Sequence, residues 1–154
     1  MGNVQNQSLI HKVVSIPSLI GADFWSTTIS NKDIDALKAS NIRHLQLRGE
    51  FEPGVFKRLG ELTKLESLVV ACPTISNDDL LALKELQNLK YLHCTATEFG
   101  TPYGASLLSK ARPDLVLEFT VGAYHGSSGL DVYTYYDKLR TSTLEEIKSG
   151  KDVQ

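Results

Sequence analysis

The chain is poor in several residues that usually announce a function: among 154 residues there are two cysteines, one methionine, one tryptophan and five prolines. Two thiols cannot build the disulfide framework that holds small secreted domains together. Cys72 and Cys94 are therefore expected as reduced thiols in a cytoplasmic protein. No apolar run approaches the length needed to cross a bilayer, and the opening MGNVQNQSLIHKVVSIP has no apolar core of signal-peptide length, so no membrane partner is expected. Gly2 follows the initiator methionine, but Asn6 stands where the myristoylation pattern has Ser or Thr. An excess of one charge is also missing: 16 basic and 18 acidic residues give a net charge of -2. That excludes the basic field by which a protein gathers nucleic acid. Glycine-rich phosphate loops of the P-loop or dinucleotide type are absent too, and no cofactor is expected.

What is present is an ordinary globular composition, 42% hydrophobic and 22% charged, enough for one domain with a real core. The chain also resembles itself. TISNKDIDALK, from Thr28 to Lys38, returns as TISNDDLLALK from Thr74 to Lys84, identical at eight of eleven positions and 46 residues later. Half of that offset is 23, and at that spacing a skeleton L-x-x-L-x-L, with apolar substitutes, begins at Leu19, Ile42, Leu65 and Leu89. Its apolar positions are Leu19, Ala22, Phe24 and Ile29 in the first unit and Ile42, Leu45 and Leu47 in the second. Leu65, Leu68, Val70 and Ile75 make the third, and Leu89, Leu92, Cys94 and Phe99 the fourth.

A short strand plus a short helix cannot bury its own apolar side, and stacking such units closes the core. Helices are expected over Ser30–Ala39, Pro53–Leu62, Ser76–Leu86 and Pro102–Arg112. Ser30 and Ser76 each have an Asp three residues on, Asp33 and Asp79, a capping box with Asp in the place of Glu. Pro53 and Pro102 fall near helix starts, where a missing N–H does no harm. Leu80, Leu83 and Leu86 share one helix face, as do Phe56, Leu59 and Leu62. Truncating a buried Leu68 or Leu83 to Ala is expected to cost about 2 to 5 kcal/mol.

Period and skeleton together resemble the leucine-rich-repeat family over residues 19 to 119. Where many members carry Asn or Cys after the strand, this chain has Thr27, Glu50, Pro73 and Thr97, so the pattern is similar to the short bacterial repeats with Thr in place of the Asn ladder. The resemblance implies an α/β fold: a short solenoid with a curved parallel sheet on its concave face and helices on its convex face. The whole chain, 1–154, then reads as one domain, with 1–18 as an N-terminal cap, 19–119 as repeats and 120–154 as a C-terminal cap or extension. The second unit is one residue short at its turn, and an irregularity is expected around Gly49 to Pro53. Residues Leu9 to Ile16 suit a strand or short helix over the first repeat, while Leu115, Leu117 and Phe119 alternate as a last strand. Beyond them lie the Gly- and Ser-rich stretch Gly122–Gly129, the tyrosines Tyr133, Tyr135 and Tyr136, and a capped helix from Ser142.

In such strands the residues between the apolar positions point the other way. Three rows result across the sheet: Gly21, His44, Ser67 and Tyr91; Asp23, Gln46, Val69 and His93; Trp25, Arg48, Ala71 and Thr95. Trp, Tyr and Arg are the residues that most often dominate binding interfaces. The candidate partner-binding residues are therefore Asp23, Trp25, His44, Gln46, Arg48, Val69, Tyr91, His93 and Thr95. The plainer alternative is that Trp25 lies under the N-terminal segment and the others are solvated surface. Cys94 is apolar-facing while His93 faces out, so the pair should not converge on a metal, and no catalytic constellation is recognisable. The implied function is a non-catalytic module that binds a partner protein, as an intracellular inhibitor or an immunity protein acting on a toxin, and as a monomer. The alternatives are a small enzyme or ligand-binding protein that uses the C-terminal glycines and tyrosines, and an assembly built through exposed sheet edges.

Overall fold

In a computed structural model of the chain, residues 10–99 and 102–121 are described. They form an α/β fold with one five-stranded parallel sheet in the order β1-β2-β3-β4-β5. A short helix, α1 (10–14), precedes β1 (Gly21–Ile29). Then follow α2 (Asn31–Ala39), β2 (His44–Phe51), α3 (Val55–Leu59), β3 (Ser67–Ile75), α4 (Asn77–Ala82), β4 (Tyr91–Phe99), α5 (Pro102–Ala111) and β5 (Val116–Val121). Strands begin at Gly21, His44, Ser67, Tyr91 and Val116, at intervals of 23, 23, 24 and 25 residues. Each pairs in parallel with the next, so every connection must return the chain to the same end of the sheet, and a helix in the return does this.

The helices and one face of the sheet share a single core. Leu45 and Leu47 of β2, Leu68 and Val70 of β3, and Leu92 and Cys94 of β4 are buried in one cluster with Ile34 and Leu37 of α2, Leu59 of α3, Leu80 of α4 and Leu108 of α5. Register stacks these positions into an inward row Ala22–Leu45–Leu68–Leu92–Leu117 and a second row Phe24–Leu47–Val70–Cys94–Phe119. At one end of the core, Ile10 of α1 is buried and Val13 and Val14 pack against it. The N-terminal segment before Ile10 and everything after Val121, including the expected C-terminal cap, lie outside the described residues.

Both expected capping boxes form. Ser30 N and Oγ donate to Asp33 Oδ2 at 2.8 and 2.7 Å, and Ser76 N and Oγ donate to Asp79 Oδ2 at 2.9 and 2.7 Å. Pro102 opens α5 as expected, but the second expected helix starts differently. Pro53 stands before α3 rather than inside it, and the cap is Gly54 in the left-handed region (φ 82°), leaving a helix of five residues. The third helix is not continuous either, because α4 tightens after Ala82 into a 3₁₀ turn, Leu83–Glu85, which still buries Leu83 in the core. The one-residue shortfall of the second unit is absorbed in the sheet. Trp25 pairs with Arg48 but Thr28 pairs with Glu50, so two residues of β1 face the single Gly49, whose φ of 142° suits glycine.

Neighbouring units are tied ahead of the strands. Asn41 Nδ2 donates to Pro17 O at 3.2 Å, Lys64 Nζ to Ser40 O at 2.8 Å, and Asn88 Nδ2 to Thr63 O at 2.7 Å. Arg112 continues the series from an unexpected place. It occupies the position that Leu62 and Leu86 fill in earlier units, only 6% exposed, and its guanidinium donates to the carbonyls of Leu86, Gln87 and Leu89 and to Asp114. A buried cation is tolerated because those acceptors and the carboxylate replace its water.

Candidate functional site

The face of the sheet turned away from the helices carries three register rows. They are Gly21–His44–Ser67–Tyr91–Val116, Asp23–Gln46–Val69–His93–Glu118 and Trp25–Arg48–Ala71–Thr95–Thr120. All nine candidate residues thus fall on one surface, and β5 extends each row by a residue that the three-row reading stopped short of. The signal for Val116, Glu118 and Thr120 was available, since Leu115, Leu117 and Phe119 alternate with them.

Two clusters stand on this face. On β1 and β2, Trp25 is 70% exposed and the Arg48 guanidinium lies 4.9 Å from the centre of its ring, a cation–π pair. Asp23 Oδ1 is 4.0 Å from Arg48 Nε, and the Gln46 amide lies against the Arg48 guanidinium, able to accept from it once its oxygen is turned that way. The Arg48 guanidinium thus lies beside a ring and an acid of β1 and an amide of its own strand. The Trp25 ring itself is solvent-exposed.

On β4 and β5, His93 Nε2 lies 2.8 Å from Thr120 Oγ1 and 3.4 Å from Thr95 Oγ1, and Tyr91 donates to Glu118 Oε2 at 2.8 Å. Partial burial is the main cause that holds His93 below the usual imidazole range; nearby Arg48 pushes the same way, while Glu118 opposes. Imidazole and hydroxyl side by side begin a nucleophile–base pair. Thr120, however, is buried, and its contact with His93 is that of a packed hydrogen-bonded pair.

Between the clusters runs β3, whose outward side chains are small: Ser67 and Val69 half-buried, Ala71 buried. Arg48 of β2 is drawn towards β1, and Tyr91 and His93 of β4 towards β5, so the middle of the face is a low strip flanked by taller residues. Carboxylates close both ends of the central row, Asp23 and Glu118. His44 is exposed one row away.

Elsewhere the chemistry is muted. Both thiols are free, and burial raises Cys94 and pushes Cys72 up to about 12, so neither is a thiolate nucleophile near neutral pH. Among the described residues no group of three or more His, Cys, Asp or Glu side chains could hold a metal ion, and no helix is long and apolar enough to cross a membrane. A shallow hollow of about 200 Å³ between the first two units is floored by Leu37, Ile42, Leu45, Leu62 and Leu65, and the Lys38–Glu61 ion pair of 3.1 Å stands at its rim. The glycines and tyrosines of the alternative ligand site lie outside the described residues. Compared with known proteins, the chain matches no protein-family model, no curated protein and no solved structure.

Proposed function

We propose that the chain is a short leucine-rich-repeat solenoid that works as a non-catalytic protein-binding module, taking one partner protein on the sheet face opposite the helices. The observation that carries this reading is the Trp25–Arg48 pair. An exposed tryptophan stacked with an oriented arginine puts two residue types that dominate interfaces into one ready-made anchor. The surroundings suit the same role: Asp23, Gln46, His44, Tyr91, His93 and Thr95 supply a polar rim around the low strip at Val69, and their positions are held by the ladder of the sheet. A rigid surface of this kind binds with little ordering cost.

Within this reading the partner is a toxin or another protein whose working surface is occluded on docking, an inhibitor or immunity role in the cytoplasm. The family resemblance and the lack of catalytic grouping on the face support it. The test is capture with the intact chain as bait and identification of what is retained at stoichiometric amount. Changing Trp25 and Arg48 together to Ala leaves the circular dichroism unchanged and abolishes that capture. Undiminished capture by the double variant removes this face from the account.

A further inference from the structure

The hollow between the first two units lies where repeat stacking is incomplete. The first unit returns through α2, nine residues long, but in the second α3 is only five and the chain then tightens. Gly60 N, Glu61 N and Leu62 N each donate to the carbonyl three residues back, in turns narrower than those of an α-helix. The last turn of α2, with Leu37 and Lys38, therefore faces a slimmer neighbour, and the hollow of about 200 Å³ lies between them. Its floor is aliphatic throughout: Leu37, Ile42, Leu45, Leu62 and Leu65. An apolar cavity of about 150 Å³ stays dry and takes benzene, so a space of this size, open on one side, suits a chain of about six carbons. Pockets that enclose larger molecules run to about 300 Å³ and more.

The rim supplies a charge. Lys38, Arg58 and Lys64 stand there or just behind it against the carboxylates of Glu61 and Asp35, three positive groups to two negative. Glu61 is shared between Lys38 at 3.1 Å and Arg58 at 3.2 Å. Among the described residues the unanswered charge is that of Lys64, whose Nζ donates to Ser40 O at 2.8 Å and Asn41 Oδ1 at 3.4 Å, both neutral oxygens. The same contact covers the carbonyl end of α2, which would otherwise repel an anion. We propose that the hollow is a binding site for a small aliphatic monocarboxylate of about six carbons, its chain on the aliphatic floor and its carboxylate on Lys64 with Lys38 beside it. Floor and rim together set the class. An amine would meet the Lys64 ammonium, a dicarboxylate would press a second charge onto leucines, and a chain without a carboxylate would gain only the apolar contact.

The test is a titration of the full chain with sodium hexanoate near neutral pH, followed in the methyl NMR spectrum. Hexylammonium chloride and 1-hexanol serve as the charge-reversed and uncharged probes, and sodium chloride as the blank. Hexanoate should give saturable shifts at the methyls of Leu37, Ile42, Leu45, Leu62 and Leu65, with half-saturation in the millimolar range that so small a ligand can reach. It should bind about two- to fivefold more tightly than hexanol, the range for an exposed ion pair, and hexylammonium should bind more weakly than either. Lys64→Gln keeps a donor for Ser40 O but removes the charge, and should bring the ratio of hexanoate to hexanol affinity down to about one. Reading the ratio cancels any change in the shape of the hollow. Shifts that fail to saturate, or that spread over methyls outside the hollow, overturn the site. Equal binding of the three probes, or a ratio unchanged in Lys64→Gln, overturns the carboxylate. The hollow opens among inward-pointing residues, so no outcome bears on the binding face on the other side of the sheet.

Discussion

Two adjacent residues of the central strand are expected to respond oppositely to the same truncation. Leu68 and Val69 stand side by side in β3, but Leu68 is buried between Leu45 and Leu92 in the inward row, while Val69 is half-exposed between Gln46 and His93 in the outward one. Leu68→Ala removes three carbons from the middle of the core. Strands on both sides and helices beneath leave the void no free wall to collapse, which puts the cost at about 3 to 5 kcal/mol, the upper part of the range for buried leucines. That is a fifth or more of the stability of a domain held by about 5 to 15 kcal/mol. With a urea dependence of about 2 kcal/mol/M, the unfolding midpoint falls by about 2 M. Val69→Ala loses only strand propensity and partial burial, at most about 1 kcal/mol, or about 0.5 M. The assay is equilibrium unfolding in urea followed by circular dichroism. Equal losses for the two variants, or a larger loss for Val69→Ala, would refute the assignment of the two faces on which the site depends.

Other consequences follow from single contacts. Gly60 has an ordinary helical φ of -59°, yet a Cβ there would sit 2.7 Å from the carbonyl oxygen of Ala82. Gly60→Ala should therefore cost about 1 to 3 kcal/mol in thermal unfolding through overpacking, and a neutral result would mean that the second and third units stand further apart. Arg112→Ala leaves the Leu89 carbonyl without its donor, while the Leu86 carbonyl keeps the N–H of Leu89. A bare carbonyl costs about 1 to 3 kcal/mol, so a loss of at least about 1 kcal/mol is expected in urea, and Arg112→Lys, lacking the fork, should recover little of it. His93 sits below the usual imidazole range mainly because it is partly buried. The unfolded chain then takes up the proton first, so its contribution is present above the ordinary imidazole value and is lost as pH falls through it. Relative to His93→Gln, the native chain should lose stability below about pH 6.5, and an unchanged difference across that range would contradict the burial of the ring.

The rows across the sheet were readable because one residue type carried the signal. Leu, Ile and Val at the skeleton positions leave the intervening residues a single direction to point, and the near-constant spacing of 23 to 25 residues aligns them from strand to strand. The shortage of one residue after Arg48 was readable for the same reason, although only the structure shows that β1 absorbs it opposite Gly49. The helices were less legible. Pro53 followed by Gly54 looks like a helix start, but the left-handed Gly54 delays α3 and shortens it, and nothing in the Leu spacing announces the 3₁₀ turn at Leu83. Arg112 stands in the sequence only as the last residue of the expected Pro102–Arg112 helix, and a charged residue there is normally solvated. Its burial depends on three carbonyls of the preceding turn, contacts 23 to 26 residues away that a local pattern does not encode. The site was legible as a set of rows, while its division into a Trp25–Arg48 anchor and a His93–Thr120 cluster was not, because side-chain leaning is decided by neighbours across the strands.

The most direct test of the binding face uses the single tryptophan. With 5-fluorotryptophan incorporated, Trp25 gives the one fluorine resonance of the chain, and its solvent-exposed ring is accessible to a soluble paramagnetic quencher in the free protein. When the captured partner is added, the resonance should shift and become shielded from the quencher. A bound complex in which the fluorine signal keeps its position and remains fully quenched would contradict docking on this face.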